Sequence, residues 1–265
     1  MHIAGYSLAV FAGLCLALMG GGGSILVVPI LVGFFSIDPV IATTYSLFIV
    51  GMTAFSGTVS QYRSNNIDFS KLLLFGVPSI LVLFGMRKIV MPAMPEKIFK
   101  AGNVVITKPV LIMSAFLVLM FIAAARMIRH HPKMEAPEKI YHARLILQGG
   151  ITGAITGFIG IGGGFIIVPS LVLFAGMQMK KAAATSLAII VLNCAVGLAS
   201  STASLAQTDL WFLTRFCTLT VSGILAGTWL VKFIPDRNLK PLFGWIVLAS
   251  STIIMYRLYI ALQMN

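Results

Sequence analysis

This sequence predicts an all-α, polytopic membrane protein, and three observations carry that prediction. Of its 265 residues, 58% are hydrophobic and only 10% are charged, where an ordinary soluble domain carries about 25% charged residues. Mean hydropathy is +1.00, and apolar runs of spanning length recur along the whole chain instead of forming one anchor. The two halves of the chain also repeat one another.

Taken in order, the first apolar block covers Ile3 to Phe35 and is interrupted by Gly20, Gly21, Gly22 and Gly23. The second runs from Val40 to about Gln61, the third from Leu72 to about Phe84, and the fourth from Val110 to Ala125. A polar stretch from Arg126 to Arg144 follows, with residues 129–142 as a hydrophilic linker between a first repeat over 1–128 and a second over 143–265. The fifth block, Leu145 to Gly176, is again broken by glycine, at Gly160, Gly162, Gly163 and Gly164. The sixth, seventh and eighth cover Ala182 to about Leu205, Leu210 to Val231, and Leu242 to Leu262. The N-terminal residues do not read as a cleavable signal peptide, because no Lys or Arg precedes the first apolar run.

Sliding the chain by 140 residues lays 13–57 on 153–197 without a gap, with 14 of 45 positions identical. Gly20 meets Gly160, Gly22 and Gly23 meet Gly162 and Gly163, Pro29 meets Pro169, and Ser46-Leu47 meets Ser186-Leu187. Apolar composition makes chance Leu and Val matches common, but it does not place glycines and prolines in register.

Charge counting then chooses the topology. If each broken block crossed once, the Lys and Arg residues would divide almost evenly between the two sides. If each forms a hairpin, one side collects twelve of them, including Arg63, Lys71, Lys180, Lys181, Lys232 and Lys240, against seven on the other. The arms are also short: Ala4 to Met19 makes about 24 Å of helix and Ser24 to Phe35 about 18 Å. Inverted repeats are therefore expected, each opening with a glycine-tipped hairpin, with both termini on the outer side.

The glycine clusters are the candidate site. In lipid, irregular backbone is tolerated only where it is buried in protein or lines a cavity. A break followed by a new helix, from Ser24 towards Pro29 or from Phe165 towards Pro169, aims a positive helix end at the gap. Glycine has no Cβ to hold a ligand away from those amides, so the arrangement suits an oxyanion. Close helix packing through small residues is the competing reading. Nearby hydroxyl and amide side chains in equivalent positions, Ser46 with Ser186 and Thr53 with Asn193, could complete the hydrogen bonds of an anion. The same Ser and Thr types also bond the preceding helical turn.

Other classes find little support. The net charge of +12 lies between apolar segments, where it orients the chain, and no nucleic-acid-reading motif accompanies it. Cys15, Cys194 and Cys217 lie inside apolar runs, so neither a disulfide framework nor a metal site is indicated. His130, His131 and His142 sit in the linker, where solvated loop is the simpler reading than a metal site. No acidic or basic residue falls at the centre of an apolar block, which argues against a proton relay or a buried catalytic pair. Asp68 and Asp209 read as helix caps. No cofactor is expected, and no P-loop is present to couple ATP.

The sequences GGGGSILVVP at 20–29 and GIGGGFIIVP at 160–169, an Ala-x-x-x-Ser-Leu helix start at Ala42 and again at Ala182, and the duplication itself resemble the sulfite exporter TauE/SafE family. The first copy differs from the second at Gly21, opposite Ile161, and at Ser24, opposite Gly164. The resemblance implies a multi-pass transporter of the bacterial inner membrane moving sulfite, sulfonates or other organosulfur anions. A coupling proton or other ion would accompany such transport. An anion channel, or a membrane protein without transport activity, is the alternative.

Overall fold

The computed structural model describes residues 2–37, 39–95, 97–101, 104–107, 142–159, 163–200 and 209–235, with individual positions between 111 and 128 and between 241 and 255. Eight helices organise the described residues. They are α1 (His2–Met19), α2 (Gly22–Phe35), α3 (Pro39–Arg63), α4 (Phe69–Gly85), α5 (His142–Ile159), α6 (Gly164–Leu173), α7 (Met179–Ala199) and α8 (Leu210–Leu230). Leu111, Leu117, Ala124 and Ile128, and Gly244, Leu248 and Ser251, are helical as well. A two-stranded antiparallel hairpin, β1 (Lys97–Ala101) with β2 (Val104–Thr107), lies outside the candidate spans.

Among the described residues, four helices are long and apolar enough to cross a bilayer: Ile41–Arg63, Phe69–Val90, Met179–Ala199 and Leu210–Leu230. Together with the short apolar helices Ala4–Met19 and Leu26–Phe35, they make this a multi-pass membrane protein. Side-chain placement agrees. Leu73, Leu81, Leu210, Trp211 and Trp229 face outward, while Ser24, Ser46, Thr53, Ser79, Ser186, Asn193 and Thr220 are buried between helices. In lipid, apolar surface carries no penalty on the outside, so polar groups gather where they find partners. Trp211 and Trp229 lie about 27 Å apart along α8, close to the thickness of a hydrocarbon core, as membrane-interface tryptophans do.

Small residues let the helices approach. Along α5, a Cβ at Gly149 or Gly153 would collide with α4 at Phe75 and Ser79, and one at Gly157 with Met86 just beyond it. Along α8, one at Gly223 or Gly227 would collide with α1 at Val10 and Leu14. Close backbone approach of this kind is how helices associate in lipid, where no hydrophobic effect drives them together.

These contacts give the helix directions. Leu47, Gly51 and Gly57 of α3 meet Gly197, Cys194 and Leu187 of α7, so one number rises as the other falls and the two helices cross antiparallel. By the same reading α8 runs parallel to α1, and α5 runs parallel to α4. Asp68, Gly76, Ser79 and Arg87 meet Thr185, Ile189, Asn193 and Gly197, which makes α4 parallel to α7. Likewise Asp209, Thr220 and Ile224 meet Tyr45, Thr53 and Gly57, which makes α8 parallel to α3. Thus α1, α3 and α8 point one way, and α4, α5 and α7 the other. Within the first hairpin, α2 reverses α1: Gly5 lies against Phe35 and Gly23 against Leu16.

Two boundaries differ from the sequence reading. The helices after the breaks begin at Gly22 and Gly164, earlier than Ser24 and Phe165, because glycine tolerates the helical first turn once the break itself is made. The third apolar block also runs on. Its helix starts at Phe69 and continues through a π-turn, Met86–Val90, which brings Arg87 into the wall of the bundle. Capping explains the starts of α4 and α8. The Asp68 carboxylate accepts from the Lys71 amide, and that of Asp209 from the Trp211 and Phe212 amides, each at 3.1 Å.

Candidate functional site

Two helix breaks meet inside the bundle. In the first, α1 ends at Met19 and Gly20 turns left-handed at φ 64° before α2 begins. In the second, Gly163 takes φ 74° immediately before α6. Only glycine adopts these angles without strain. Gly160 and Gly162 lie outside the described residues.

The breaks touch through bare backbone. A Cβ on Gly164 would sit 2.6 Å from the Cα of Gly21 and 2.6 Å from Cδ1 of Ile190. Ile190 lies next to the midpoint of α7, a spanning helix, so the meeting point is at membrane depth. Gly20 in turn packs on Ala183 and Ser186 of the same helix.

Each new helix leaves its first amides without an acceptor in the helix. In α2 the Ser24 amide already bonds back to the Gly21 carbonyl, which leaves Gly22 and Gly23 as the leading donors. In α6 the amides of Ile166 and Ile167 bond to the Gly163 carbonyl, which leaves those of Gly164 and Phe165. Two positive helix ends therefore open within one buried region, an arrangement that attracts an anion.

The predicted side chains divide by what they bond. Ser186, fully buried, donates to the carbonyl of Gly20 and, at 2.8 Å, to that of Ala183. It ties the second half of the chain to the first break. Ser24 bonds its own turn, to the Gly21 carbonyl at 2.7 Å. Thr53 is 2.6 Å from the Ile49 carbonyl and 2.7 Å from the Thr220 hydroxyl, so its proton is committed to the protein.

Ser46 and Asn193 are different. Ser46 is 1% exposed, yet its hydroxyl has no partner among the described residues. Asn193, fully buried, donates to Ser79 at 3.4 Å while its carbonyl oxygen remains unsatisfied. A buried polar group without a partner costs about 1–3 kcal/mol, and the Gln148 amide oxygen is a third such atom among the described residues.

Gly23 lies against the backbone of α1 at Ala12 and Leu16, and Gly163 against the side chain of Thr156. Both therefore serve packing as well as the break. Beside the first hairpin, the crevice between Gly13, Leu16, Val27, Thr53 and Thr220 is too narrow for a water molecule.

Three residues with a place in this arrangement were not singled out from sequence. Thr220 and Ser79 complete the polar pairs with Thr53 and Asn193. They are 141 residues apart, the same shift that relates Asp68 to Asp209, and that shared spacing was the signal available. Arg87 reaches inward to donate from Nη1 to the Gly197 carbonyl at 3.0 Å, near the C-terminal end of α7. Among the described residues, no group of three or more His, Cys, Asp or Glu side chains could hold a metal.

Comparison with known proteins agrees with this architecture. The family model described as "Sulfite exporter TauE/SafE" matches residues 6–254. A "Probable membrane transporter protein" of Xylella fastidiosa strain Temecula1 is 27% identical over 260 residues, covering 94% of this chain and 93% of the relative. The "Probable membrane transporter protein YjnA" of Bacillus subtilis is 27% identical over 251 residues, covering 92% and 95%. A further probable membrane transporter protein, from Methanocaldococcus jannaschii, is 28% identical over 189 residues, covering 69% and 66%.

Proposed function

This chain belongs to the sulfite exporter TauE/SafE family, and from that premise we propose that it is a secondary transporter of small anions, with sulfite, sulfonates or other organosulfur anions as the substrate class. The observation that carries this reading is the meeting of two glycine breaks at membrane depth, each opening a helix N-terminus. The amides of Gly22, Gly23, Gly164 and Phe165 supply donors to a tetrahedral or pyramidal oxyanion, and the Ser46 hydroxyl adds one more. A chain whose described spans carry no buried carboxylate at this point suits an anionic cargo.

The mechanism we infer is alternating access, with residues 1–128 and 143–265 as inverted repeats. Support comes from the opposed directions of the matched helices α1 and α5, α3 and α7, and α4 and α8. Matched contacts support it too: the Thr185 hydroxyl accepts from the Asp68 amide, and the Tyr45 hydroxyl at the equivalent position accepts from the Asp209 amide, each at 3.1 Å. One half rocks against the other about the breaks, and the bond from Ser186 to Gly20 opens and closes with it. Binding and movement are the chain's only tasks here, with no covalent chemistry required.

Reconstitution in sealed liposomes tests this. Uptake of labelled sulfite, thiosulfate and small sulfonates is measured with and without imposed proton and voltage gradients. Saturable uptake that follows a gradient is expected. Uptake that never saturates and ignores the gradients would make the protein an anion channel.

A further inference from the structure

Away from the breaks, the last turn of α3 and the first residues of α4 form a lipid-facing groove of about 330 Å³. Its lining includes Val59, Tyr62, Ile67, Phe69 and Ala188, together with Arg63. Tyr62 and Phe69 are 64% and 53% exposed and meet edge to face, with ring centroids 6.1 Å apart. The groove is thus an apolar slot with an aromatic rim and one cation at its mouth.

A second cation shares a helix with one wall of the groove. Lys181 lies two turns before Ala188 on α7, so both occupy one helical face, with Lys181 at the membrane boundary. Neither Arg63 nor Lys181 has an ion-pair partner among the described residues; the salt bridge there is Lys71 with Asp68 at 3.3 Å. Arg63 at the C-terminal end of α3 also suits that helix's dipole. Lys180 and Lys181 do not. They sit in the first turn of α7, where a cation opposes the dipole and no acidic residue offsets it. A bound anion at that spot would relieve both.

We propose that this groove is a binding site for one anionic phospholipid, its acyl chain lying past Val59 and Ala188 and its phosphate held by Arg63 and Lys181. Apolar walls at membrane depth capped by unpaired cations at the interface match the two ends of such a lipid. A free phosphate would use the cations and leave the walls unexplained.

The test uses the full chain in mild detergent, delipidated and reloaded with equimolar phosphatidylglycerol and phosphatidylcholine of identical acyl chains, and read by native mass spectrometry. Each basic residue is worth roughly fivefold, so wild type should retain phosphatidylglycerol by about thirtyfold. Arg63→Gln with Lys181→Gln should bring the two lipids close to parity, Arg63→Lys with Lys181→Arg should keep the preference, and Val59→Trp should expel both lipids. Thermal unfolding without lipid checks that each variant is folded. Equal retention of the two lipids by wild type, or an undiminished preference in the double Gln variant, overturns the proposal. So does displacement of the lipid by millimolar inorganic phosphate alone.

Discussion

Ser46 and Ser186 lie 140 residues apart in matching sequence, yet Ser186 is bonded and Ser46 is not, and replacing each by alanine separates their contributions. Ser186 donates to the buried carbonyl of Gly20. Its loss strands that acceptor, which costs about 1–3 kcal/mol. Ser46 has no partner to lose. Removing its hydroxyl relieves a buried polar group whose desolvation is worth about 1–3 kcal/mol, so Ser46→Ala should be as stable as wild type or more so. With substrate the order reverses. A hydrogen bond to an anion is worth about 1.5–3 kcal/mol, so Ser46→Ala should raise the half-saturating concentration by roughly 10- to 150-fold. Thermal unfolding in detergent reads the first effect, and initial rates of sulfite uptake into liposomes across a concentration series read the second. If Ser46→Ala unfolds as early as Ser186→Ala and leaves half-saturation unchanged, the idea that Ser46 waits for the anion is wrong.

Three further outcomes follow from the same geometry. Gly164→Ala places a methyl 2.6 Å from Gly21 Cα, well inside van der Waals contact; overpacking of this kind costs about 1–3 kcal/mol, so the unfolding midpoint should fall and uptake should slow. Gly51→Cys, in a chain with Cys15 and Cys217 replaced, should cross-link to Cys194, whose Cβ lies 3.0 Å from a Cβ built at position 51. The bond should keep the halves together on a denaturing gel after cleavage at a protease site placed in 129–142, and failure to do so under oxidant would count against the contact of α3 with α7 at this point. Arg87→Gln removes a charged donor from the Gly197 carbonyl and should cost about 1.5–3 kcal/mol in unfolding measurements, with the pattern of transported anions unchanged.

The glycine breaks were legible in the sequence because the bilayer makes them so. A run such as Gly20 to Gly23 inside an apolar block must either pack closely or open the backbone, and a second run in register at Gly160 to Gly164 points to a shared task. The caps at Asp68 and Asp209 were legible for a similar reason, since capping is settled within a few residues of chain. Arg87 was not. The third apolar block looks finished at Phe84, and only the π-turn and the packing of α4 along α7 carry the guanidinium inward.

By itself, then, the sequence determined the solvent of this protein, the approximate places of the spans among the described residues and the two places where its helices break, because hydropathy and glycine content act locally and lipid enforces them. Only the tertiary structure decided that the breaks touch, that Ser186 is bonded where Ser46 is not, and that Thr220 and Ser79 complete the polar pairs. Serine and threonine in a membrane helix can always satisfy themselves on the preceding turn. Which of them does otherwise depends on what lies across the helix interface, and one strand of sequence does not contain its neighbour.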